Sequence, residues 1–81
     1  MNAASIRVHT LKTPTGRNFQ VSIAPDGTRV MAAHFHRSEL VSISVALDAA
    51  RERMHNMGNC ADQKRFEELR DMFLGALHHD A

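Results

Sequence analysis

The chain has 81 residues, 43% of them hydrophobic, with ten Lys and Arg against nine Asp and Glu, a net charge of +1. That is the size and composition of one small folded domain, 1–81, rather than of a disordered chain. The near-neutral charge gives no overall pull toward nucleic acid, no stretch of about 18 apolar residues offers a membrane span, and the single Cys60 excludes an internal disulfide.

The residue pattern predicts strands at about 5–12, 18–24 and 29–37. Ile6, Val8 and Thr10 alternate with Arg7, His9 and Leu11, a period of two. Thr13-Pro14-Thr15-Gly16 then reads as a four-residue loop that sets Ile6, Val8 and Thr10 opposite Ile23, Val21 and Phe19. Ala24-Pro25-Asp26-Gly27-Thr28 reads as a type I turn with a glycine bulge. It pairs Ala24 with Thr28, Ile23 with Arg29, Val21 with Met31 and Phe19 with Ala33. One face then carries Phe19, Val21, Ile23, Met31, Ala33 and Phe35 as core. The open face carries Asn18, Gln20, Ser22, Val30, Ala32, His34 and His36, with Arg7 and His9 from the first strand.

Helices follow at about 39–57 and 60–78. Ser38 suits the N-cap, with Glu39 at the positive end of the helix dipole. Leu40, Ile43, Leu47, Ala50, Met54 and Met57 recur at helical spacing as one stripe. Gly58 ends the helix and Asn59 caps the next, whose stripe is Phe66, Leu69, Phe73, Ala76 and Leu77. Lys64–Glu68 and Glu67–Arg70 are helix-spaced ion pairs, and residues 78–81 are expected to fray. The fold class is α+β: a three-stranded antiparallel β-meander followed by two amphipathic α-helices packed on one face.

A meander running into a helix resembles, in layout, the later part of a double-stranded-RNA-binding domain. That family carries a lysine cluster at the start of this helix. Here Ser38-Glu39-Leu40-Val41-Ser42 takes the place, so the family's phosphate contacts are not carried over.

Candidate surfaces can be named residue by residue. Val41, Val45 and Ala49 form a second apolar strip on the first helix, opposite the Leu40–Met57 stripe. The second helix covers it, a partner protein or second copy does, or it is an ordinary exposed patch. His34 and His36, two apart on a strand, suggest a polar contact with a partner. They would also supply two of the three or four ligands that zinc needs, with His9 the best third. Cys60 sits at a helix start with His55 nearby, but a nucleophile also needs an orienting group and an oxyanion site. No carboxylate pair is placed for acid–base work, and no glycine-rich phosphate loop exists.

The expected function is therefore a small non-catalytic, cofactor-free protein-binding module, cytoplasmic because the start of the chain lacks a signal-peptide pattern. Size and layout suit an inhibitor that occupies a surface of a larger assembly, as phage-encoded anti-CRISPR proteins do. Its partner-binding residues would be Val41, Val45, Ala49, Arg7, His9, Gln20, His34, His36 and Arg37. The alternatives are a nucleic-acid-binding accessory protein using Arg7, His9, Arg17, Arg29 and Arg37, and a small metal-binding protein through His34 and His36.

Overall fold

Two five-residue turns set the geometry of the sheet. In Ala24–Thr28, the Gly27 amide donates to the Ala24 carbonyl at 2.9 Å and Ala24 donates to Thr28 at 2.9 Å. Gly27 sits at φ +90°, a conformation only glycine adopts without strain. Asp26 accepts from the Thr28 amide at 2.9 Å, which holds its carboxyl below the ordinary range. Thr13–Arg17 is built the same way. Gly16 donates to Thr13 at 2.9 Å, Thr13 donates to Arg17 at 2.8 Å, and Gly16 has φ +97°.

The computed structural model describes residues 7–80, and its elements run β1 (Arg7–Lys12), β2 (Asn18–Ile23), β3 (Arg29–Ala32), α1 (Arg37–Asn56) and α2 (Cys60–His78). This is the expected α+β order, with an antiparallel sheet β1-β2-β3. Ser5 and Ile6 of the expected first strand, and Ala81, lie outside the described residues. The chain divides into two compact units, Met1–His34 and Phe35–Ala81.

In the β unit the second hairpin has the expected register, with Val21 opposite Met31 and Ile23 opposite Arg29. The first does not. Val8 pairs with Ser22, His9 with Val21 and Leu11 with Phe19. The expected four-residue loop is a three-residue loop between Thr13 and Arg17, and one residue of slip turns a whole strand over. Arg7, His9 and Leu11 therefore share a face with Phe19, Val21 and Ile23. Val8, Thr10 and Lys12 share the other with Asn18, Gln20 and Ser22.

The third strand stops at Ala32, short of the expected residue 37, so His34-Phe35-His36 is not strand. Helix α1 starts at Arg37, two residues early, with His36 rather than Ser38 as its N-cap. The His36 ring accepts from the Ser38 amide at 3.2 Å, and the Glu39 carboxylate accepts from the His36 amide at 2.8 Å. This reciprocal box satisfies two donors that a helix start otherwise leaves open. It also brings Phe35 edge-on to Phe73 of α2, with ring centroids 6.2 Å apart.

The α unit is an antiparallel hairpin of helices. Asn59 donates to the Met54 carbonyl at 2.9 Å and Gly58 to His55 at 3.1 Å, with Gly58 at φ +75°. These are the two bonds of a Schellman ending. Asn59 then accepts from the Asp62 amide at 3.1 Å and opens α2. Leu40, Ile43, Leu47, Ala50 and Met54 are half-buried as expected, whereas Met57 is exposed. On α2 the inner face is Phe66, Arg70, Phe73, Leu74 and Leu77, with Leu69 and Ala76 turned outward. Among the described residues the most enclosed side chain is Ser44, 5% exposed, whose hydroxyl donates to the Leu40 carbonyl at 2.8 Å. No described hydrophobic side chain is fully buried.

Candidate functional site

The outer face of α1 carries the strip flagged by its spacing. Val41 is 44% and Val45 64% exposed, and Ala49 is exposed beside them. Helix α2 does not cover it. The reason is angular: residues on an α-helix advance about 100° each, and the half-buried arc running through Leu40, Ser44, Leu47 and Arg51 leaves Val45 near the middle of the opposite arc. The strip is flanked by Ser38 and Ser42. The Ser42 hydroxyl donates to the Ser38 carbonyl at 3.1 Å, so it is already engaged with backbone.

Within the β unit a shallow recess of about 280 Å³ is lined by Thr10, Asn18, Phe19, Gln20, Ala32, Ala33 and His34. It follows from the ladder. Thr10, Gln20 and Ala32 form one rung, and the small Ala32 leaves room above it. The lining offers hydroxyl, amide and imidazole groups and no carboxylate. It can hydrogen-bond a partner.

The open face expected to unite Arg7, His9, Gln20, His34 and His36 is thus split. Gln20 and His34 line the recess. Arg7 and His9 lie on the other face, with Phe19, Val21 and Ile23. His36 is a helix cap in the other unit, and Arg37 donates to the Leu77 carbonyl at 3.5 Å, near the end of α2. A cation there favours the negative end of the helix dipole. Among the described residues no three His, Cys, Asp or Glu side chains gather as a metal set, and His9 faces away from Gln20. Cys60 is exposed at the start of α2.

An ion cluster ties the two helices and escaped the sequence reading. Arg70 donates to Asp48 at 2.6 Å, Arg51 donates to the same oxygen at 3.0 Å, and Arg70 also reaches Asp71 at 3.2 Å. Arg70 was expected to pair with Glu67, which instead accepts from Gln63 at 3.3 Å. Arg70 and then Arg51 hold the Asp48 carboxyl below its ordinary value, and Asp48 raises Arg70 in return. The cluster is structural, because all four groups are engaged with one another.

Charge is divided between the units. Residues 1–34 carry four Lys and Arg against Asp26 alone, a balance of +3, while 35–81 carry six against eight Asp and Glu, a balance of −2. None of the described helices is long and apolar enough to cross a membrane. The chain matches no protein-family model, no curated protein and no solved structure.

Proposed function

We propose that the chain is a non-catalytic protein-binding module, with Val41, Val45 and Ala49 as its docking strip. The observation that supports this reading is the strip's exposure along α1, with Val45 64% exposed at its centre. An exposed apolar line at i, i+4 and i+8 is the pattern a helix presents to a hydrophobic groove. A module without chemistry of its own acts by steric competition, so the reading extends to an inhibitor that occupies a surface of a larger assembly.

The test is capture from the native host with wild-type and Val45→Asp baits side by side. Val45→Asp changes an exposed helical position, so its own stability should move by no more than about 0.5–1 kcal/mol. A partner recovered by the wild type should fall at least about tenfold with the variant, the cost of a charge in an apolar contact. Equal recovery by both baits, or a Val45→Asp protein that fails to fold, would remove the strip as the docking site.

A further inference from the structure

The outer strip of α1 reads the same in both directions. Ser38, Val41, Val45, Ala49 and Glu52 follow one another at spacings of three, four, four and three, symmetric about Val45. All five lie within about 40° of Val45 around the helix, at about 100° per residue. All five are exposed, and they belong to a single helix within one unit.

A line with this symmetry is its own complement when a second helix runs against it in the opposite direction, about a twofold axis at Val45. Val45 then meets its counterpart. Val41 of one copy shares a layer with Ala49 of the other, large against small, and Ser38 shares a layer with Glu52. Charge favours the same direction. Glu52 comes to the first turn of the other copy's α1, at the positive end of the helix dipole. Arg37 of that turn is exposed and stands on the Glu52 side of the strip. Its bond to the Leu77 carbonyl leaves other donors of its guanidinium for a carboxylate. Glu39, the acid of that turn, lies about 120° round the helix from Val45 with its carboxylate on the His36 amide. A parallel pair would instead set Glu52 beside Glu52. We propose that the occupant of the strip is a second copy of this chain, α1 against α1 and antiparallel, in a twofold dimer. This rests on the strip being a docking surface and names what docks there.

Analytical ultracentrifugation of the full chain, with Cys60 kept reduced, tests it. The wild type should dimerise with rising concentration. Val45→Asp should weaken the dimer at least about tenfold, because it sets two carboxylates together in an apolar layer. Glu52→Arg should weaken it about fivefold, since the twofold repeats the change. Adding Arg37→Glu to the Glu52→Arg chain should restore it, because each copy's residue 37 stands beside the other's residue 52. Direction is read in a Cys60→Ser background: on oxidation, Val41→Cys and Ala49→Cys proteins should cross-link as a mixed pair more than either does with itself. A wild type monomeric at all concentrations overturns the proposal, while capture of a host protein with the Val45→Asp control decides the docking reading separately. A dimer that both Val45→Asp and Glu52→Arg leave intact also overturns it, as does a Val41→Cys protein that cross-links chiefly to itself.

Discussion

Gly58 and Gly75 should respond to the same substitution with opposite signs. Gly58 ends α1 at φ +75°, and a Cβ built there meets nothing within 4 Å. Its alanine variant therefore suffers no clash, only the backbone cost of a left-handed L-residue, about 1 kcal/mol. Gly75 lies inside α2 with ordinary helical backbone and equally open surroundings. There alanine removes the glycine penalty and gains about 0.8–1 kcal/mol. For a chain of this length about 1 kcal/mol moves the melting midpoint by roughly 4–8 °C. Far-UV circular dichroism on heating should show Gly58→Ala falling and Gly75→Ala rising by about that amount. The double variant should return close to wild type, since distant sites add. Gly58→Asn should lose less than Gly58→Ala, because asparagine tolerates the left-handed region. A Gly58→Ala protein as stable as wild type would refute the Schellman ending, and with it the placement of the helix boundary.

Three further outcomes follow from the same geometry. His36→Ala should cost about 1 kcal/mol by opening the cap over Ser38, and His36→Asp, a stronger capping residue, should recover it; equal stability of all three by chemical denaturation would contradict the cap. Asp48 is held below its ordinary value of 3.8 by Arg70 and then Arg51, so as pH falls the unfolded chain takes up its proton first. Its contribution is complete above about pH 4 and is lost as pH drops below 3.8 through the folded value. An Asp48→Asn variant should therefore show a shallower acid loss of helix, and an unchanged slope would count against the cluster. In a Cys60→Ser background, Val8→Cys with Ser22→Cys should oxidise readily, whereas Val8→Cys with Val21→Cys should not. Val8 and Ser22 are directly opposite, and Val21 points to the other face.

The strands and helices were legible because their signals are local. Alternation marks β2, and the 3–4 spacing from Leu40 to Met54 marks α1. Asn59 marks the start of α2 at Cys60. What was lost was parity. Thr13-Pro14-Thr15-Gly16-Arg17 and Ala24-Pro25-Asp26-Gly27-Thr28 are the same turn written twice, Pro second and Gly fourth. Reading the first as the second was read would have placed His9 opposite Val21. The start of α1 was misplaced because Ser38 is a strong cap in isolation. Only the Glu39 carboxylate returning to the His36 amide, with Phe35 seated on Phe73, favours the earlier start, and the ring contact spans 38 residues of sequence. Arg70 was misread for a similar reason, since a helix-spaced neighbour is visible in sequence and Asp48 on the other helix is not.

The proposed role in binding rests on the division between engaged and exposed groups. Several polar groups are held by structural bonds: His36 caps α1, Arg37 reaches the Leu77 carbonyl, and Asp48 lies between Arg51 and Arg70. A carboxylate gripped by two guanidiniums has its charge stabilised. The recess on the sheet has donors and acceptors but no carboxylate. What stays accessible is apolar surface in two forms. One lies along a single helix at Val41, Val45 and Ala49, with Glu52 on the same side; the other lies across a sheet between Arg7 and Arg29. Apolar contact supplies affinity and flanking charge selects the partner. The proposed helical strip therefore suits an apolar groove.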